Sequence, residues 1–250
     1  MPSDILFTTD EHFMSSNGNK NIFESQMEFF ENQLFPYILE NKIKYWISLG
    51  DFNDDRSRID AYIHQELKQR FFRWIEDHQI QFHVLVGNHS TVFKNTLSHH
   101  YFKENVNEFK YIRYYDEISV LEIDPYIFVM VPWITGSMTD VKLPTGDICC
   151  LHGEIKGFNK VKGCECTDGI ELSFFKSFQK ILSGHFHNYQ EKENCMYIGN
   201  PYQKDFNDFG EQKGFWTLDD SYSFTFHENT ICPKFVKIVY SDNKIEVSGE

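Results

Sequence analysis

Five apolar runs along the chain are each followed at once by Gly, Asp, Asn or His. They are Ile5-Leu6-Phe7, Tyr45-Trp46-Ile47-Ser48-Leu49, Phe82-His83-Val84-Leu85-Val86, Ile148-Cys149-Cys150-Leu151 and Lys180-Ile181-Leu182-Ser183. Short runs of β-branched and aromatic residues closed by turn formers predict buried strands. Between the first three, apolar residues recur in steps of three and four. Over residues 22–42 these are Phe23, Met27, Phe30, Leu34 and Ile38, with Pro36 expected to kink or shorten the helix. Over residues 57–78 they are Ile59, Ile63, Leu67, Phe71 and Trp74, behind Ser57 as the expected cap. Strand, helix, strand, helix, strand at this spacing predicts βαβ units and a mainly parallel sheet.

From about residue 111 the texture changes to short strands joined by tight turns: 111–113, 118–123 and 126–131. The strand to His152 follows, then a Gly- and Lys-bearing loop over 153–169, a helix near 170–180 and the strand to His185. Further strands are expected over 195–199, 213–218, 222–227 and 234–240, antiparallel to their neighbours. The pattern as a whole predicts an α/β fold, a two-sheet mixed β sandwich flanked by helices, in one domain over residues 1–250.

Composition narrows the class. With 250 residues and 41% hydrophobic side chains the chain can bury a sizeable core. No apolar stretch reaches about 18 residues, so no membrane span is expected. Met1-Pro2-Ser3-Asp4 runs into the first strand without a basic segment, which predicts no secretory signal and a cytoplasmic location. The cysteines at 149, 150, 164, 166, 195 and 232 form no CxxC pair and are expected as free thiols; Cys164-Glu165-Cys166 makes only a weak soft-metal site. The net charge of −13, from 37 acidic and 24 basic residues, excludes nucleic-acid binding by overall charge alone. Ala61 is the only alanine, a bias that points to an AT-rich coding genome.

The strand exits carry the chemistry. They read Asp10-Glu11-His12, Gly50-Asp51-Phe52-Asn53-Asp54, Gly87-Asn88-His89, Leu151-His152-Gly153 and Gly184-His185-Phe186-His187. Ligand sites in open α/β sheets gather beyond the carboxyl ends of the strands, so one architecture would bring all five to one edge. Two divalent ions about 4 Å apart need carboxylates to offset their charge, imidazoles to complete their shells and one bridging carboxylate. Asp10 and His12, two apart at a strand exit, are expected to share a side by strand alternation. Asp51, after a glycine that permits a sharp turn, is the expected bridge. Asn88 offers an amide oxygen, and His152, His185 and His187 offer nitrogens. The histidines at 64, 78, 83, 99, 100 and 227 lie away from strand exits and are given no role.

These segments, in this order, resemble the calcineurin-like metallophosphoesterase superfamily. Val131-Pro132-Trp133, the Leu151–Glu154 and Gly157-Phe158 segments, Tyr197-Ile198-Gly199-Asn200-Pro201-Tyr202 and Lys213-Gly214-Phe215-Trp216 are similar to the nuclease subunit of SbcCD-type complexes, above all its phage recombination version. The resemblance implies that Asp10, His12, Asp51 and His187 hold one ion and that Asp51, Asn88, His152 and His185 hold the other. It further implies that His89 is catalytic without being a ligand, giving a proton to the leaving oxygen or stabilising the transition state. The ions would be manganese, with magnesium as the alternative, and the reaction in-line attack on a phosphodiester by a hydroxide between them. DNA as substrate, exo- or endonucleolytic cleavage in repair or recombination, a coiled-coil ATPase partner of the SbcC type and homodimerisation are implied as well. Phe71, Phe72 and Trp74 are candidates for the dimer face, although core packing explains them equally.

Departures from the resemblance matter. Ser90 stands where relatives carry an acid, and Asp55-Arg56-Ser57 replaces the phosphatase form, which counts against phosphoprotein substrates. The chain ends soon after its last expected strand, so the capping and ATPase-gripping segments of relatives are expected to be short or lacking. A rim of phosphate contacts is expected from Lys20, Arg56, Arg58, Lys94, Lys156, Lys160 and Lys162, all near strand exits. Two other functions compete: a phosphodiesterase for nucleotides or cyclic nucleotides, which the acidic charge favours, and a non-catalytic binding module on the same scaffold.

Overall fold

The computed structural model describes residues 4–14, 18–56, 58–93, 95–134, 141–241 and 244–248. Its strands in chain order are β1 Ile5–Thr8, β2 Tyr45–Ser48, β3 Gln81–Leu85, β4 Thr91–Phe93, β5 Thr96–His100, β6 Ile112–Tyr115, β7 Ser119–Ile123, β8 Tyr126–Val131 and β9 Ile148–His152. They continue with β10 Asn159–Val161, β11 Cys164–Glu165, β12 Lys180–Gly184, β13 Gln190–Lys192, β14 Cys195–Tyr197, β15 Gly214–Leu218, β16 Phe224–Glu228, β17 Lys237–Ser241 and β18 Lys244–Ser248.

Two six-stranded sheets, ordered β16-β15-β1-β2-β3-β6 and β13-β14-β12-β9-β8-β7, form the sandwich. In the first, β1, β2, β3 and β6 run parallel and β15 and β16 add antiparallel. In the second, β14, β12, β9 and β8 run parallel between antiparallel edges β13 and β7. The parallel pairing of β14 departs from the antiparallel expectation; β13, a strand too short and polar to announce itself, takes the antiparallel place beside it.

Strand alternation divides the core into three layers. Ile5, Phe7, Ile47, Leu85, Phe128, Met130, Cys150 and Leu182 pack between the sheets. Leu6, Trp46, Phe82 and Val84 face the helices, while Val129, Cys149, Leu151 and Ile181 face the segment around Phe158, Phe175 and Phe178. Burial on both faces is why these strands read as unbroken apolar runs.

The first helix runs Lys20–Phe29, passes through a π-turn at Phe30–Leu34 and continues as Phe35–Glu40. Pro36 has no N–H for a carbonyl one turn back, and the expected kink is absorbed by the widened turn instead. Phe23, Met27, Phe30, Leu34 and Ile38 all face inward. The second helix begins at Ala61, capped by Asp60 Oδ1, which accepts from Ile63 N at 2.9 Å. Ser57, the expected cap, lies outside the described residues, and Ile59 precedes the helix and is exposed. Phe71 and Phe72 are fully buried and Trp74 stacks on Phe35 at 3.9 Å, so the two phenylalanines pack the core rather than a dimer face. Near 170–180 the expected helix reduces to one 3₁₀ turn, Leu172–Phe175, because by Gln179 the backbone is already bonded to Asp147 O beside β9. The cysteines are free, as expected.

Candidate metal centre

All five strand exits converge at the carboxyl ends of the parallel strands, β1, β2 and β3 from one sheet and β9 and β12 from the other. Asp10 and His12 do not share a side through strand alternation. They follow β1 in left-handed backbone conformations, φ 52° and 47°, and Asp51 and His185 are left-handed too, at 53° and 89°. Such residues persist only where surroundings hold them. Here the β1 and β2 exits bind side by side: Asp10 N donates to Gly50 O at 2.8 Å, His12 N to Asp51 O at 2.9 Å and Phe13 N to Phe52 O at 2.8 Å. Gly50, at φ 109°, is required: a Cβ there would stand 2.5 Å from His152 Nδ1.

Two groups of ligand atoms result. Asp10, His12 and His187 form one, and Asp51, His152 and His185 the other, each with its atoms within 4.8 Å. In the first, His12 Nε2 lies 3.0 Å from His187 Nε2, and Asp10 Oδ1 is 3.7 and 3.9 Å from these nitrogens. In the second, His152 Nε2 is 3.3 Å from Asp51 Oδ2, and Asn88 Oδ1 lies 3.1 Å from His152 Nε2 and 2.8 Å from His185 Nδ1. Asp51 Oδ1 accepts from His89 N at 2.8 Å, while His185 N donates to Asp10 Oδ2 at 2.9 Å.

The donor set fits divalent ions. His12 Nδ1 faces Asp54 Oδ1 at 2.8 Å and His152 Nδ1 faces Leu49 O at 2.7 Å, so Nδ1 of each ring carries a proton and Nε2 is the inward nitrogen, which in each neutral ring offers a lone pair. The inward lone pairs meet one another and carboxylate or amide oxygens. Asp10 Oδ1 is buried and receives no hydrogen bond. A cation is the partner this arrangement lacks.

The electrostatics say the same. Burial pushes Asp51 up, yet His152, His12 and His89 hold its carboxyl well below the usual range; Asp10 is likewise lowered against burial by His152 and His187. Burial pulls His152 down, but Asp51 and Asp10 raise it to about 9. At His187 burial and His12 win, and the ring falls to about 4.

His89, its side chain 36% exposed, belongs to neither of these two groups but forms a third with His12 and Asp54. Its Nδ1 lies 2.7 Å from Asp54 O, leaving Nε2 free to face a substrate, and burial lowers its pKa. Several contributors escaped the sequence reading. Asp54 also pairs with Lys204 Nζ at 2.6 Å, and lay in view within the Gly50–Asp54 segment. Glu11 is fully buried beneath the site, where Thr8 and Ser48 hydroxyls donate to it at 2.5 and 2.9 Å and burial raises it to about 7. Buried Lys213 binds His187 O at 2.7 Å, Asn188 Oδ1 at 2.9 Å and Asp208 Oδ1 at 2.7 Å. Glu154 Oε1 is 3.2 Å from His185 Nε2.

The basic residues expected on a phosphate rim are largely engaged. Lys156 pairs with Glu171 at 2.7 Å, Lys160 with Glu154 at 2.6 Å and Asp168 at 3.2 Å, and Lys162 with Glu211 at 3.7 Å. Lys20 lies over the Tyr62 ring at 3.9 Å. Arg58 lines a cavity with Met14, Gly18, Asp55 and Asp60, Arg56 is half-buried nearby, and Lys94 lies outside the described residues. Lys160 also closes the cluster of Glu154, Cys166 and Asp168, supplying in itself the cation those groups would otherwise seek.

Residues 3–210 match the calcineurin-like phosphoesterase family, and the chain belongs to it: it is a metal-dependent phosphoesterase. The chain is also 30% identical over 192 residues to exonuclease subunit 1 of Enterobacteria phage T4. That alignment covers 75% of this chain and 56% of the phage subunit, so the chain spans little more than half its relative's length. One solved structure superposes with a TM-score of 0.53 over 92% of this chain and all of its own, at 11% identity, a likeness of fold. A putative 5′-nucleotidase from Staphylococcus aureus, solved with α-ketoglutarate, reaches 0.41 at 12% identity, covering 92% of this chain and 54% of its own. No helix among the described residues is long and apolar enough to cross a membrane.

Proposed function

We propose that this phosphoesterase is a manganese-dependent DNA nuclease of repair or recombination, with Asp10, His12, Asp51 and His187 holding one ion and Asp51, Asn88, His152 and His185 the other. The observation that carries the two-ion reading is the pair of adjoining ligand groups, their lone pairs turned inward, with Asp51 set against the second group and joined through His89 N to the β3 exit. When bound, two divalent ions would supply the charge that a phosphodiester anion needs and acidify the attacking water. Around them the chain's own groups orient the reaction. Nδ1 of His89 is engaged by the Asp54 carbonyl, so its Nε2 is the atom that would pass a proton to the leaving oxygen.

DNA as the substrate rests on the likeness to the phage exonuclease subunit. That name makes the relative one subunit of an assembly, and an ATPase partner and self-association are proposed on the same ground; sedimentation of the purified chain tests the latter. Linear duplex DNA incubated with the protein should be cut with Mn²⁺ and left intact without it. An inert protein that demonstrably holds Mn²⁺ would rule DNA out.

The engagement of Lys156, Lys160 and Lys162 with carboxylates favours one second reading, a small diester substrate. Comparing DNA, a cyclic nucleotide and bis-p-nitrophenyl phosphate under the same Mn²⁺ separates the two. Faster turnover of cyclic nucleotide than of DNA favours the small substrate.

A further inference from the structure

Glu154 leaves β9 two residues after His152 and turns its side chain back toward β12. Its Oε1 lies 3.2 Å from His185 Nε2, and its Oε2 accepts from Lys160 Nζ at 2.6 Å, which in turn reaches Asp168 Oδ1 at 3.2 Å. The backbone under it is fixed, since Ile170 N donates to Glu154 O at 2.8 Å. The two nitrogens of an imidazole point to opposite sides of the ring. His185 Nδ1 faces Asn88 Oδ1 at 2.8 Å, so Glu154 sits on the far side from the other ligand atoms and cannot belong to their set. Trp133 lies against the His185 ring with centroids 5.0 Å apart, limiting its rotation.

We propose that Glu154 is a positioning residue for the metal centre: its carboxylate accepts the Nε2–H of His185 and so commits Nδ1, unprotonated, to the ion, while Lys160 holds the carboxylate in place. The inference rests on the two-ion reading above. A carboxylate behind a ligating imidazole fixes its tautomer and raises its basicity, and loss of such a partner costs about 10–100-fold in metal affinity. It also gives Lys160 a task other than phosphate contact.

Calorimetric titration of Mn²⁺ into the wild type, Glu154→Ala, Glu154→Gln and Lys160→Met tests this without DNA. Glu154→Ala should weaken one of two ions by about 10–100-fold and leave the other and the metal-free unfolding midpoint unchanged. Glu154→Gln, which keeps an acceptor oxygen, should recover part of the loss, and Lys160→Met should show a smaller loss at the same ion. Wild-type affinities for both ions in Glu154→Ala overturn the proposal, as does equal weakening of both together with a lowered metal-free midpoint. A wild type that binds fewer than two ions overturns the two-ion reading itself.

Discussion

At the scale of single residues, the centre is built by giving each ring nitrogen a separate task. His12, His152 and His89 each spend one nitrogen on a protein oxygen, at 2.8, 2.7 and 2.7 Å, which leaves the other defined. His89 shares no ligand group with Asp10 or Asp51, although it forms one with His12 and Asp54. His89→Ala should therefore lower kcat by about 10²–10⁴-fold while Mn²⁺ still binds with two-ion stoichiometry. Loss of an ion in that variant would contradict the role assigned to it. A histidine outside the site makes the pH prediction. His83 is buried in β3 with Nδ1 2.9 Å from Tyr115 OH, and burial, helped by Arg113, lowers its pKa to about 4. Between pH 6.5 and about 4 the unfolded chain binds a proton here that the folded chain refuses, so stability is lost as pH falls through that window. The contribution is about 3 kcal/mol at its foot and nil above pH 6.5. Chemical denaturation at pH 7.5 and 4.5 should show a smaller drop in His83→Phe than in the wild type; equal drops refute the assignment.

At the scale of elements, what matters is how closely strand exits from two different sheets can approach. β12 passes β1 and β2 so tightly that a Cβ on Gly184 would run into Thr9 Oγ1 and stand 2.9 Å from Leu49 O and 3.1 Å from Asp10 Oδ2. Gly184→Ala should therefore push the sheets apart where the ligands meet. The expected cost is about 1–3 kcal/mol of stability, with weakened Mn²⁺ binding, read by thermal unfolding with and without metal. The helices predict more modestly: Asp60→Ala removes a cap and should cost about 1 kcal/mol without changing metal affinity. The βαβ order and both inward helical faces were legible because their periodicity survives folding. Other features were not. Asp10 and His12 look like alternating strand residues, but their placement comes from left-handed turns bonded to the β2 exit, a tertiary fact. The β4–β5 hairpin is short, with Val92, Phe93, Ser98 and His99 all exposed, so its apolar residues form no buried rhythm to read. The β17–β18 ribbon brings Ile238, Tyr240, Ile245 and Val247 to one face, and only its first strand was expected.

At the scale of the whole molecule, the two sheets meet at one edge through buried aspartates and the histidines facing them, whose charge a proton balances until a cation arrives. The seven expected ligand positions were legible as residue types at strand exits, whereas the roles of Glu154, Lys204 and Lys213 were not, because each acts across a long sequence separation. Glu11, in view within the β1 exit, shows its part only through Ser48 on the neighbouring strand. Lys213, for example, reaches back 26 residues to His187 O. Without metal, Asp10 and Asp51 stay ionised in the interior and His152 carries the compensating proton, with its pKa near 9. Metal uptake at neutral pH must displace that proton, so binding should release protons and tighten as pH rises toward 9. It should also stabilise the fold, since the unfolded chain has no assembled site. At Mn²⁺ a hundredfold above its dissociation constant the gain is about 2.7 kcal/mol for one ion. For a chain of this size each kcal/mol moves the midpoint by about 2–4 °C. Chelation with EDTA should thus lower Tm by about 5–10 °C, and Mn²⁺ should restore it. In Asp51→Asn, which removes a charge presented to the centre, Tm should respond much less to Mn²⁺. An unchanged metal response in that variant would place the ions elsewhere than between the two sheets.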